Sequence, residues 1–74
     1  MSPALSDLPA RKVTRALESV GFAYERTKGS HAIYRRPDGR VVVIPEHGTI
    51  KRGTLGSILR QADLTPAEFL KLLN

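Results

Sequence analysis

Apolar positions recur at helical spacing early in the chain, where Val13, Ala16, Leu17 and Val20 fall on one face of a 3.6-residue repeat. Pro9 suits a first turn and Gly21 the residue just past the end, so a helix is predicted over 9–20. The rhythm then changes. "FAYERT" (22–27), "HAIYRR" (31–36) and "RVVVIP" (40–45) are rich in β-branched and aromatic residues, with Gly29 and then Pro37, Asp38 and Gly39 between them. They predict a three-stranded antiparallel meander. "RPDGR" reads as its second hairpin, because Asp-Gly supplies the positive φ angles of tight turns. A polar loop, "EHGTIKRG", is expected next. In "TLGSILRQA", Leu55, Ile58 and Leu59 share a helical face behind Thr54 as N-cap, with Gly56 weakening the helix somewhat. Thr65, Pro66, Ala67 and Glu68 form a capping-box pattern ahead of Phe69, Leu70, Leu72 and Leu73, and predict a short last helix. A sheet this small must bury one face against helices, so the chain is expected to be a two-layer α+β domain over residues 1–74. Its order is αβββα with a short extra C-terminal helix.

Composition narrows the picture. Seventy-four residues, 41% hydrophobic and 26% charged, belong to the ordinary globular range, in a chain too short to bury a large share of its surface. There is no cysteine, which excludes a disulfide framework and thiolate zinc sites. The longest aliphatic run, Val41 to Ile44, is far short of a membrane span, and no secretory signal pattern precedes it; the expected location is the cytoplasm.

Placed along the chain, the net charge of +5 becomes informative. Residues 26–52 carry seven cations (Arg26, Lys28, Arg35, Arg36, Arg40, Lys51, Arg52) against Asp38 and Glu46, while five cations and five anions cancel elsewhere. All of the excess lies in the segment of the meander and the loop after it. Cations clustered in this way favour a polyanion such as nucleic acid; the plainer alternative is a solvated face.

The same segment holds both histidines. His31 follows Gly29 and Ser30 with cations on either side, and His47 sits in the polar loop. Histidine titrates nearest neutrality and performs proton transfer in either direction. By spacing alone, a histidine after a Gly-Ser turn is more often an ordinary strand-end residue, and His47 beside Gly48 is either a complementary acid or an exposed turn residue. Gly29 lets the backbone turn tightly and approach a phosphate, which its N–H or that of Ser30 would contact. Ser30 lacks the acidic partner of a triad, so turn-capping or a phosphate contact is the better reading than a nucleophile. Strand alternation puts Arg35, not Arg36, on the face of His31, and Lys28 is close in sequence. Tyr24 and Tyr34 suit cross-strand packing better than base stacking. Two histidines sixteen residues apart make a poor metal site, and neither metal nor cofactor is expected.

The αβββα order with a basic middle is the arrangement of double-stranded-RNA-binding domains. A closer resemblance is carried by residues. Gly29-Ser30-His31, the Pro45 to His47 step, and Gly53-Thr54-Leu55 followed by Ile58-Leu59, together with "ALESVGF" upstream, resemble the HicA (YcfA-like) family over about Leu8 to Leu72. That family is the toxin half of HicA and HicB toxin–antitoxin pairs. The resemblance implies a metal-independent endoribonuclease that cuts mRNA and is silenced by a HicB-like antitoxin, with His31 catalytic and Gly29, Ser30, Gly53 and Thr54 as motif residues. Ala32 stands where a larger side chain is common, and the compact loop before Gly53 leaves the placing of His47, Lys51 and Arg52 open. Lys28, Gly29, Ser30, Arg35, Lys51 and Arg52 are the candidates for RNA or phosphate contacts. The alternative to an enzyme is a non-catalytic RNA-binding module with a basic groove; a third reading is an adaptor whose cations meet an acidic protein.

Overall fold

The computed structural model describes residues 4–73; residues 1–3 and 74 of the expected domain lie outside the described residues. The elements are β1 (Leu8–Pro9), α1 (Ala10–Glu18), β2 (Ala23–Lys28), β3 (His31–Arg35), β4 (Val41–Pro45), β5 (Thr49–Ile50), α2 (Arg52–Ala62) and α3 (Pro66–Leu72). The fold is α+β, with a helix, a three-stranded antiparallel sheet and two further helices, compatible with the arrangement of double-stranded-RNA-binding domains extended by a C-terminal helix.

The strands run in the order β2-β3-β4. Alternation along β3 and β4 turns Ala32, Tyr34, Val42 and Ile44 inward, where they are buried with Val13 and Leu17 of α1, Leu55, Ile58 and Leu59 of α2 and Phe69 of α3. Each large side chain removed from water in this way contributes about 1.5–3 kcal/mol. The other face carries His31, Ile33, Arg35, Val41, Val43 and Pro45, and among the described residues no helix covers it. Strand β2 is an edge strand, exposed along its whole length. The opposite border, β4, is plugged: the Val43 N–H donates to Gln61 Oε1 at 3.1 Å, and Arg40 Nη1 donates to the Gln61 carbonyl at 3.2 Å.

A bulge in β2 sets which side chains meet. Tyr24 pairs with Tyr34 and Arg26 with Ile33, so Glu25 is the extra residue between them. Residues 24, 26 and 28 have one parity, and in a regular strand they would share a face. The bulge instead sends Tyr24 to the helix side, edge-on to Tyr34 with ring centroids 5.7 Å apart, and leaves Arg26 and Lys28 opposite the outward residues of β3. The two tyrosines are a cross-strand pair, as expected. Burial pushes the Tyr34 hydroxyl pKa up.

Several boundaries differ from the sequence expectation, each for a physical reason. Helix α1 begins at Ala10 because Pro9 is extended (φ −60°, ψ 141°) and acts as the N-cap rather than the first helical residue. It ends by Ser19, where a Phe22 N–H to Leu17 carbonyl bond and a Gly21 N–H to Glu18 carbonyl bond close the turn around Gly21 at φ +98°. The polar loop after Pro45 holds a strand, β5, which pairs Ile50 with Leu8 and buries Ile50 in the core. Helix α2 starts at Arg52, two residues before Thr54, with Lys51 at the N-cap position. Its cap comes from far away in the chain, since Asp7 Oδ1 accepts from the Arg52 N–H at 2.9 Å. The last helix is as predicted, with Thr65 and Glu68 forming a reciprocal capping box and Pro66 in the first turn.

The β3–β4 connection is a three-residue loop, Pro37-Asp38-Gly39, in which only Gly39 has positive φ (+91°). Asp38 accepts from Arg36 through both carboxylate oxygens and from the Arg40 backbone N–H. The Arg36 guanidinium foremost, and that backbone bond after it, lower the Asp38 pKa from 3.8 to about 2.

Two outcomes follow from these contacts. Asp7→Ala, which strips the cap from α2, lowers stability by about 1 kcal/mol, read as a fall of several degrees in the thermal midpoint. Asp38 stabilises the folded state above its ordinary pKa of 3.8, and that contribution is lost as the pH falls towards 2. The melting-temperature difference between the parent and Asp38→Asn is therefore positive at pH 6 and closes as pH falls through this window.

Candidate active site

Lys28 and His31 end two strands joined by a two-residue turn, Gly29-Ser30, and are directly paired in the β2–β3 register. Gly29 has φ +63°, whereas Ser30 does not have positive φ, which is the pattern of a type II′ hairpin. A tight turn of this type fixes the register without slack, so the two side chains leave the same face with Cβ atoms at the cross-strand separation of about 4.5–5.5 Å. The turn is tied to the rest of the sheet as well: the Ser30 carbonyl accepts from the Glu46 N–H at 2.9 Å, just beyond the His31–Pro45 pair. The Ser30 hydroxyl makes no hydrogen bond to another described residue, so the turn-capping role considered for it is absent.

His31 and Lys28 border a shallow depression of about 450 Å³ whose remaining walls are Ile33 and Val43. These two aliphatic residues were not among the sequence candidates, although the parity of His31 and Ile33 and the pairing of Ile33 with Val43 are the signal that finds them. The depression thus has a charged, titratable rim and an apolar floor. It suits a ligand with an anionic part and a flat apolar part.

The cations of residues 26–52 divide into two groups. Arg26 and Arg35 are paired with Glu25 at 2.6 and 2.7 Å, Arg36 with Asp38 at 2.7 Å, and Lys51 with Asp7 at 3.6 Å. Lys28, Arg40 and Arg52 make no ion pair among the described residues, and of these only Lys28 borders the depression of His31. Arg35 lies on the face of His31, as parity predicts, but four residues along β3 and held by Glu25. The hydrogen bond from Arg35 is the first cause that keeps the Glu25 carboxyl below its usual range; the same pair raises the Arg35 pKa. Arg36 leaves the strand, stacks over the Phe22 ring at 5.0 Å and belongs to the hairpin.

Lys51 and Arg52 lie at the start of α2, beside Asp7, outside the depression of His31. His47 belongs to a different hollow, between its own loop and the start of α1, lined by Pro9, Ala10, Arg11 and Glu46. Its side chain is 85% exposed and 3.5 Å from Glu46. The fold therefore unites Lys28, Gly29, Ser30 and His31, keeps Arg35 at the far end of the same face, and sets His47, Lys51 and Arg52 apart. Among the described residues, no three His, Cys, Asp or Glu side chains form a metal-holding group, and no helix is long and apolar enough to cross a membrane.

Residues 10–64 match the family described as the HicA toxin of bacterial toxin–antitoxin. The chain belongs to the HicA toxin family, and so is a toxin of a toxin–antitoxin system; α3 lies beyond the matched residues. Among curated proteins, none matches the chain.

Space around Gly29 is open, and a Cβ there would meet nothing within 4 Å. Gly29→Ala accordingly costs only the backbone strain of φ +63°, about 1–2 kcal/mol, readable as a lower urea midpoint.

Proposed function

We propose that the protein is a metal-independent endoribonuclease that cleaves mRNA in the cytoplasm, with His31 as its catalytic residue and a HicB-like antitoxin as its inhibitor. The observation that carries this reading is the Lys28–His31 pair, an outward imidazole beside a lysine that makes no ion pair among the described residues. Cleavage of RNA by its own 2′-hydroxyl requires a base for that proton, charge stabilisation at phosphorus, and a proton for the departing 5′-oxygen. In its neutral form His31 takes the 2′-hydroxyl proton; the 2′-oxygen attacks phosphorus, the bond to the 5′-oxygen breaks, and that oxygen is protonated from solvent. The products are a 2′,3′-cyclic phosphate and a 5′-hydroxyl. Lys28 neutralises the negative charge that builds on the phosphoryl oxygens, and the Gly29 and Ser30 backbone sits where a phosphate can approach closely. Ile33 and Val43 offer the adjoining nucleotide an apolar seat.

His47 is assigned the weaker role. It opens into another hollow and faces Glu46, so the leaving oxygen is left to water rather than to a second imidazole. The antitoxin that the family implies would silence the enzyme most simply by covering the uncovered sheet face around His31.

The deciding experiment mixes purified protein with a transcript in EDTA. The parent protein cleaves it, and His31→Ala loses about 10²- to 10⁴-fold in rate while still binding RNA. Intact RNA with both proteins, each bound to it, selects the non-catalytic RNA-binding module instead.

A further inference from the structure

The aliphatic floor of the His31 depression is a single plateau, and the hydrogen bonding of β4 is the reason. Ile33 and Val43 face each other across β3 and β4. The Val43 N–H points away from β3, to Gln61 Oε1, so this pair exchanges no backbone hydrogen bonds. It belongs to the closer class of antiparallel pairs, with Cα atoms about 4.5 Å apart. A lone exposed valine is ordinary on a protein surface. Val43, 40% exposed, is instead joined to a second aliphatic side chain and set against an imidazole and an ammonium.

The order of groups across the patch matches that within a nucleotide. Lys28 pairs with His31, and Ile33 pairs with Val43 two residues further along β3, a rise of about 6.6 Å. Lys28 and Val43 are therefore at opposite corners, with His31 and Ile33 between them. From corner to corner the patch runs ammonium, imidazole, aliphatic plateau, and a nucleotide runs phosphate, ribose hydroxyl, base. With Lys28 at the phosphoryl oxygens and His31 at the 2′-hydroxyl, the base of that same nucleotide lies over Ile33 and Val43. Its edge meets no partner there. Among the described residues, Lys28 and His31 are the polar side chains that border the depression, and both are engaged by the RNA backbone. Arg26, across β2 from Ile33, is turned to Glu25 at 2.6 Å.

We propose that Ile33 and Val43 form a seat for the base of the nucleotide whose 2′-hydroxyl attacks, holding it by its flat face and leaving its Watson–Crick edge unread. The seat rests on the RNA-cleaving reading above and names its substrate class, unpaired RNA of any sequence. A base locked in a duplex is stacked between its neighbours and cannot reach the plateau. Every base has a flat face, and apolar contact scales with area while distinguishing poorly between groups of similar shape. Larger bases are therefore favoured through their larger face alone.

The test uses deoxythymidylate strands with one ribonucleotide at the centre, so that a single phosphodiester can be cut, in EDTA. The central base is uracil, adenine, difluorotoluene, which has the shape of a pyrimidine without its hydrogen-bonding edge, or is absent from an abasic ribose. The parent protein is expected to cut the adenine and difluorotoluene strands at least as fast as the uracil strand in kcat/KM. The abasic strand is cut about 10-fold more slowly. Ile33→Ala and Val43→Ala combined raise KM for the uracil strand and bring the uracil and abasic strands within about 2-fold of each other, because the base then has little to rest on; circular dichroism checks that the variant is folded. An abasic strand cut as fast as the uracil strand, or a difluorotoluene strand cut as slowly as the abasic one, overturns the seat and leaves RNA cleavage standing. So does an abasic penalty that survives in full in the double variant. If an ordinary transcript is cut but no single-ribose strand is, the seat alone fails, since a site that grips one nucleotide needs only one. If the transcript also stays intact, both ideas fail.

Discussion

A three-stranded sheet in so short a chain has helices enough for only one of its faces, and that asymmetry governs the rest of the molecule. Helices α1 and α2 pack on the side of Val42 and Ile44, with Phe69 of α3 completing the core. Once Ala32 and Tyr34 are turned inward, strand alternation leaves no choice for their neighbours: His31, Ile33 and Arg35 must face outward. The chemistry thus sits on the side that packing cannot use. Its precision comes from the inner side all the same, because the strand that carries His31 is fixed by the residues behind it.

Charge is organised with comparable economy. Four of the seven cations of the basic middle segment are paired, Arg36 with Asp38 inside it and Arg26, Arg35 and Lys51 with Glu25 and Asp7 outside it, so the seven do not form a uniform positive field. Pairing concentrates the remaining attraction for an anion at Lys28 and, elsewhere, at Arg40 and Arg52. A polyanion spread over the whole face would find some of its guanidiniums already engaged, while one seated at the hairpin mouth finds an ammonium free beside an imidazole.

Much of this was legible in the sequence, and what was not has a common cause. The three strands, α1 and α3 depend on neighbours in sequence: periodicity, turn residues between the strands, a capping box. The pairing of Lys28 with His31 was not legible, because the first strand is expected from sequence to stop at Thr27 and Lys28 is a candidate only through its closeness in sequence. The β1–β5 ribbon and the start of α2 depend on Leu8 meeting Ile50 and Asp7 meeting Arg52, contacts over forty residues that no local pattern announces. Ile50 looked like an isolated apolar residue in a polar loop, although its burial marks that loop as part of the core. The candidate site divides the same way. Parity correctly placed Arg35 with His31, but parity fails in β2, where one extra residue at Glu25 reverses the faces and brings a carboxylate to Arg35.

The two borders of the sheet are unlike, and neither invites a copy of itself. Along β4 the Gln61 amide occupies the Val43 N–H that another strand would need, and along β2 the irregular backbone at Glu25 is flanked by Arg26 and Lys28. Both features work against the ribbon-to-ribbon growth that leads to fibres, in a small protein with one bare sheet face.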